Sequence, residues 1–325
     1  MGSEVKIVIA GGSGFLGTTL ARAFVQRGDD VAVLTRRPHA GMWRSVRWDG
    51  ESLGPWADEV EGADAVINLA GRSVHCRYNE RNRREIIDSR VRSTRAVAAA
   101  IARAARPPRV WLQASTATLY AHRYDAPNDE LTGVIGGAEP DAPSAWRFSI
   151  DVARAWESAL AEAATGRTRK VAMRMAMVMG TDPRSGFSIL RRLAALGLGG
   201  RAGDGRQFMS WVHEGDFVRS VDWLIAHEHL AGAVNITSPF PLGNADFMRT
   251  LRRAAGASLG LPATTWMVEL GSFLMRTESE LILKSRRVVP TRLLRSGFTF
   301  RFASWEDAAR DLCARVERED ATVAA

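Results

Sequence analysis

Cysteine is almost missing from this chain of 325 residues. Cys76 and Cys313 are the only two, far apart and without a Cys-x-x-Cys spacing, which excludes a zinc ribbon and a disulfide framework. Six histidines show neither His-x-x-x-His nor His-Glu-x-x-His spacing, so no catalytic metal is expected. No apolar run approaches the roughly 18–20 residues of a membrane span; even residues 171–180 are broken by Arg174. The opening Met-Gly-Ser-Glu-Val-Lys lacks the apolar core of a signal peptide, and Lys6 stands where a myristoylation signal has Ser or Thr. A cytoplasmic protein is expected. Lysine is also scarce: only Lys6, Lys170 and Lys284 accompany 41 arginines. The net charge of +8 invites nucleic acid, but the arginines are scattered. Their densest group, Arg81, Arg83 and Arg84, has no interleaved aromatics, and nucleic-acid binding needs a stripe or patch. The expected partner is a small-molecule substrate or effector, not nucleic acid or membrane.

What is present is alternation. Short β-branched runs at residues 5–10, 31–35, 65–69, 110–114, 171–175 and 233–237 read as strands. Helical spacing fills residues 15–27, 81–106, 150–164 and 214–227, the last with Asp216 placed to cap it. Repeated strand–helix–strand units with near-continuous apolar strands predict an α/β fold whose parallel sheet is covered on both faces. Trp43, Trp48 and Trp56 read as residues covering that sheet. After residue 180 come a helix and a glycine-rich loop, and from Pro239 the chain turns helical. A nucleotide-binding core over residues 1–240, with a substrate-side excursion near 181–210, and a smaller unit over 241–325 are expected.

Residues 10–17 read Ala-Gly-Gly-Ser-Gly-Phe-Leu-Gly, following a strand and opening an amphipathic helix. Glycines here allow a tight turn, close backbone approach to a pyrophosphate and hard packing of helix on strand. The anion then meets the free N–H groups and positive end of that helix. Gly11, Gly12, Ser13, Gly14, Phe15, Leu16 and Gly17 are therefore expected cofactor contacts. The second strand ends Leu34-Thr35-Arg36-Arg37, placing Arg36 where NAD-specific sites carry an acid for the ribose hydroxyls. A guanidinium suits a 2′-phosphate, so NADP(H) is the expected cofactor.

With these residues the chain resembles the extended short-chain dehydrogenase/reductase superfamily, in its epimerase-like branch with a C-terminal domain of unknown function. The marks are residues 11–17, Asp64-Ala-Val-Ile-Asn-Leu-Ala-Gly71, Ser89-Arg90 with Thr94, Ser115-Thr-Ala-Thr-Leu-Tyr120, Trp156-Glu157, Gln207-Phe-Met-Ser-Trp-Val-His213, Val234-Asn235, and Pro290 through Gly297-Phe298. The resemblance implies a Rossmann-type doubly wound parallel sheet with a smaller, mainly helical C-terminal substrate-side domain. It also implies that Leu69, Ala70, Gly71 and Arg90 line the cofactor, and that Thr116 holds the substrate oxygen. The superfamily's proton donor is a Tyr with a Lys four residues on. Counting back from Glu157 those positions hold Ser149 and Ala153, and Met177 replaces the Asn usual three residues after Arg174. The standard proton chemistry therefore does not carry over, since neither Ser nor Ala supplies the pKa or the charge.

Tyr120, four residues past Thr116, reads as either a structural or substrate-lining phenol or, with a bound water, the candidate replacement, because Tyr78 and Tyr124 fall in loops. Arg72 faces either an anionic substrate or a surface ion pair, and Gln207 and Trp211 fall on the substrate side. His213 reads as either a helix cap or a catalytic group. Two functions stay open: an NADP(H)-dependent epimerase or reductase acting on a sugar-like or hydroxylated substrate, and a non-catalytic NADP(H)-binding protein that senses redox state.

Overall fold

The parallel strands that the apolar runs predict do form, in a computed structural model that describes residues 4–140, 142–274 and 278–324. They are β1 (Lys6–Ala10), β2 (Asp30–Thr35), β3 (Arg44–Arg47), β4 (Ala65–Asn68), β5 (Val110–Thr116) and β6 (Arg169–Met175). Three short pieces, β7 (Met177–Met179), β8 (Phe208–Met209) and β9 (Trp211–His213), precede the last long strand, β10 (Gly232–Ile236), and β11 (Leu242–Gly243) follows it. The main sheet runs β3-β2-β1-β4-β5-β6-β10, every pair parallel. Strand order reverses between β1 and β4, which opens a crevice at their carboxyl ends. This is the Rossmann-type doubly wound sheet. The edge strand β3 carries no apolar run (Arg-Ser-Val-Arg), so periodicity gives no sign of it.

Helices α1 (Phe15–Arg27), α2 (Glu80–Arg103), α3 (Arg147–Glu162), α4 (Gly186–Ala195) and α5 (Glu214–Ala226) surround the sheet and its crevice. One face buries Phe24 and Phe217 against Ile7, Ile9, Leu112 and Met173. The other buries Val97, Ile101 and Leu160 against Val8, Val66 and Trp111, with Trp48 and Trp56 covering it. Gly28, at φ 98°, ends α1 and returns its N–H to Phe24 and Val25 carbonyls. Asn79 starts α2 by accepting from Asn82 N. Asp216 does not cap α5. His213 does, its Nδ1 accepting from Gly215 N at 3.0 Å. Asp216, fully buried, instead accepts the N–H groups of Arg301 (2.9 Å) and Phe302 (2.7 Å) and pairs with Arg219.

Beyond residue 240 the chain is mainly helical: α6 (Asn244–Ala254), α7 (Thr265–Leu274), α8 (Glu280–Leu283), α9 (Thr291–Arg295) and α10 (Trp305–Ala324). Trp305 stacks on Phe247 at 4.0 Å and packs 5.0 Å from Trp211, making a second core over β7 and β9. Among the described residues no helix is long and apolar enough to cross a membrane.

Candidate active site

The glycine loop divides into packing glycines and one that faces open space. Gly11 sits at φ 73°, and a Cβ there would lie 2.6 Å from Ala70 Cα. At Gly12 it would meet Val33 Cγ1 at 2.8 Å, and at Gly17 it would meet Gly12 Cα at 2.3 Å. These three let strand, helix and the 68–71 turn close on one another. At Gly14 the nearest atom is Gly11 O, 3.9 Å away. Gly14 is the N-cap of α1 and no side chain caps that helix, so the first-turn N–H groups and the positive helix end face the cavity. The cavity, about 630 Å³, is lined by Ser13, Gly14, Arg36, Ala70 and Gly71 among others. Arg36 is exposed on its rim and makes no hydrogen bond or ion pair among the described residues. Asn68 is fully buried, donating to Gln113 Oε1 (2.9 Å) and accepting from Ala70 N (3.0 Å), which fixes the turn that carries Leu69, Ala70 and Gly71. The space, the free donors and the guanidinium fit a dinucleotide phosphate.

A neighbouring cavity of about 460 Å³ continues the crevice past Phe15 and Leu16 to Thr116, Ser149 and Met177. Thr116 is half-buried at the end of β5, and its Oγ1 accepts from Thr118 N at 3.1 Å. Ser149 projects from α3 into this cleft, whereas Ala153 is buried. Arg90, on α2, reaches the same wall but is almost wholly buried. Its Nη1 donates to the Arg72 and Ile86 carbonyls, both at 3.0 Å, and its guanidinium lies over Trp156. Burial lowers it to about 10.

Tyr120 is not at the cleft. It is 2% exposed, and its hydroxyl donates to Asn235 Oδ1 and accepts from Arg174 Nη1, both at 3.0 Å. Arg174 also grips Glu157 through two hydrogen bonds (2.9 and 2.7 Å), and Ser115 Oγ donates to Glu157 Oε1 at 2.6 Å. The Tyr120 phenol is thus spent on tying β5, α3, β6 and β10 together, which removes it from substrate chemistry.

Tyr78, and not Tyr120, lines the cleft. Its loop leads into α2, and its ring packs edge-on against Phe148 at 4.9 Å, next to Ser149 on the cleft wall. The ring lines the cleft, while its backbone N–H donates to Glu278 Oε1 at 2.9 Å. Burial first, then the nearby carboxylates of Glu280 and Glu278, push the phenol up to about 12. Tyr78 stands just before the Asn79 cap of α2, outside the helix, so helical spacing gives no signal for it. Ser149 Oγ donates to Glu280 Oε2 at 2.5 Å, a contact between segments too far apart for spacing to predict.

The substrate-side residues part company. Arg72 forms an ion pair with Glu85 and donates to Asn82 Oδ1 at 2.8 Å, the surface-pair alternative. Gln207 borders a third cavity, of about 610 Å³, that also touches Tyr78, but its amide is committed to the Ala202 and Ile282 carbonyls. Trp211 is not on the substrate side: large and apolar, it is fully buried against Trp305. His213 is likewise enclosed, stacked on Phe302 and hydrogen-bonded to Asp311 at 3.1 Å, and burial lowers it to about 4. Among the described residues no group of three or more His, Cys, Asp or Glu is placed to hold a metal.

A dinucleotide cradle at the switch point, with a Thr–Ser wall across the cleft, defines the class of molecule. The chain belongs to the NAD dependent epimerase/dehydratase family, whose model matches residues 7–237, and a domain of unknown function, DUF1731, matches residues 263–312. It is similar to the human epimerase family protein SDR39U1, 29% identical over 316 residues that cover 95% of this chain and 100% of that one. An epimerase family protein of Mycobacterium leprae is 31% identical over 300 residues, 91% and 92% of the two chains. The crystal structure of human SDR39U1 (isoform2) with NADPH superposes with a TM-score of 0.82 at 28% identity, covering 95% of this chain and 99% of that one.

Proposed function

We propose that this protein is an NADP(H)-dependent oxidoreductase or epimerase acting on a hydroxylated, sugar-like small molecule, with residues 241–325 as its substrate-side unit. The observation that carries this reading is the pairing of an open cradle at Gly14 with the unpaired Arg36 on its rim. The NADPH held by the human relative supports the choice of cofactor. When bound, such a cofactor supplies or removes a hydride. The chain's own part is to orient the substrate: Thr116 holds the reacting oxygen, and Leu281 of the C-terminal unit closes the cleft opposite Phe15 and Leu16.

The non-catalytic alternative has one observation in its favour, Ser149 and Ala153 on α3. Single-turnover oxidation of NADPH, followed by absorbance across a panel of aldehydes, ketones and keto-sugars, separates the two. The enzyme oxidises NADPH with at least one carbonyl, and Thr116→Ala slows it about 10²-fold, as loss of one donor to a developing oxyanion does. An unaltered rate in Thr116→Ala removes that residue from the chemistry. No oxidation with any carbonyl, together with a partner interaction that NADPH binding alters, favours the binding-protein reading.

A further inference from the structure

The acid–base pair missing from α3 has counterparts in three other segments. The loop before α2 places the Tyr78 ring against Phe148, next to Ser149 on the cleft wall, and Ser149 Oγ donates to Glu280 Oε2 at 2.5 Å. Glu280 is 3% exposed, and its other oxygen, Oε1, accepts no hydrogen bond. That oxygen lies 3.5 Å from Lys284 Nζ, whose side chain is 1% exposed. Lys284 Nζ donates to the Thr118 carbonyl at 2.8 Å, and Arg286 Nε donates to Thr118 Oγ1 at 3.2 Å. A buried lysine and carboxylate and a half-buried serine and tyrosine therefore form one line from the C-terminal unit to the cleft beside Thr116.

We propose that Tyr78 exchanges the proton with the substrate oxygen, and that Ser149 and Glu280 carry that proton between the cleft and the C-terminal unit. The inference rests on the oxidoreductase reading above. In the oxidising direction the substrate O–H bond breaks and its proton joins Tyr78 Oη. The phenol's own proton passes to Ser149 Oγ, and the Ser149 proton passes to the Glu280 carboxylate. The electron pair of the substrate C–H bond leaves with its hydrogen to an oxidised nicotinamide dinucleotide, and a C=O bond forms. Reduction runs each transfer backwards.

The electrostatics agree with a conduit and not with a standing phenolate. The charged and titratable groups facing the phenol are Glu278 and Glu280, Cys76 of its own loop, and Arg90 and Arg286. Burial and the carboxylates outweigh the arginines, so the phenol stays protonated until a proton arrives from the substrate. Lys284 Nζ lies 3.5 Å from Glu280 Oε1, the terminal acceptor, and burial brings Lys284 itself down to about 8. Tyr78 is the catalytic residue in this scheme; Ser149, Glu280 and Lys284 act through it.

Two measurements test the relay. Protein labelled with 3-fluorotyrosine gives three 19F signals, one per tyrosine, and Tyr78→Phe identifies that of Tyr78. Ser149→Ala and Glu280→Gln are expected to shift this signal in the absence of any substrate; a signal unmoved by both overturns the link. Single-turnover oxidation of NADPH by phenanthrenequinone, used as a carbonyl probe, then reads the chemistry. Tyr78→Phe is expected to slow it about 10²-fold or more with NADPH affinity unchanged. Ser149→Ala is expected to lower the rate and alter the solvent deuterium isotope effect, and Ser149→Thr to keep both near the parent's. Parent-like oxidation by Tyr78→Phe overturns the relay alone. A parent inactive with phenanthrenequinone and with the carbonyl panel overturns the oxidoreductase reading, and the relay's catalytic role with it.

Discussion

At one end of the cleft eight consecutive residues, 10–17, make the turn, the helix start and the phosphate cradle. At the other end Tyr78, Thr116, Ser149 and Glu280 arrive from four segments spread over two hundred residues of chain. The contiguous end is held by close packing, Gly17 on Gly12, Gly11 on Ala70 and Gly12 on Val33, and depends only on the neighbouring strands and the 68–71 turn. The assembled end exists only when a loop, a strand end, a helix and the C-terminal unit are all in place. Damage should therefore be local at the first end and shared between stability and chemistry at the second.

The widest split is expected between two glycines of one loop. Gly14→Val fills open space at the helix start, so NADPH binding should vanish in titration calorimetry while the melting temperature hardly moves. Gly17→Val drives a side chain into the Gly12 backbone, an overpacking worth about 1–3 kcal/mol or more, and should lower the melting temperature itself. Were both variants to lose stability equally, the cradle would be a packing feature and the contrast between the ends would fall.

His213 belongs to neither end and calibrates the rest. Folding holds it at about 4 against an unfolded value near 6.5, so the folded state binds fewer protons between those limits. Its contribution is intact above pH 6.5 and is lost as pH falls towards 4, by at most about 3 kcal/mol. Melting curves should decline over that window, and His213→Asn, which keeps a good cap, should flatten the decline.

Tyr120→Phe comes next. It strands Asn235 Oδ1 and one Arg174 donor in a buried network, a loss of about 1–3 kcal/mol visible in denaturant unfolding, with turnover of the folded fraction unchanged. A large loss of turnover instead would return Tyr120 to the site. The smallest effect is at the rim: NADPH should bind about tenfold tighter than NADH, a difference of about 1.4 kcal/mol, and Arg36→Ala should erase most of it. Equal affinities in the parent would leave the rim arginine without a 2′-phosphate to read.

What could be read from sequence follows the same division. The strands, the glycine loop and the helical turn at the C-terminal end are local patterns, and local patterns survive without knowledge of contacts. Trp211 reads as a substrate-side residue because a motif gives order along the chain but not direction of side chains; the apolar indole decides that in three dimensions, as the donor Gly215 decides for the cap between the two readings of His213. Tyr120 misleads for a related reason. It stands at the right distance from Thr116 along the strand end, yet Arg174 and Asn235 draw its hydroxyl inward. Glu280 and Lys284 stand four residues apart, as an ion pair does on a helix, but nothing in that spacing points to the cleft, since Ser149 and Thr118 lie more than a hundred residues away.

Trp305 has a consequence for how the chain is made. Its indole closes the aromatic stack over Phe247 and Trp211 and donates to the Phe247 carbonyl. Trp305 lies C-terminal to every strand of the main sheet, so its contacts become available only after those strands have been made. A chain emerging from the ribosome can thus pair most of its main sheet while Phe247 and Trp211 still wait for the final helix. During that interval two large aromatic surfaces are uncovered, and the last twenty-odd residues decide whether the nascent protein closes on itself or on a neighbour.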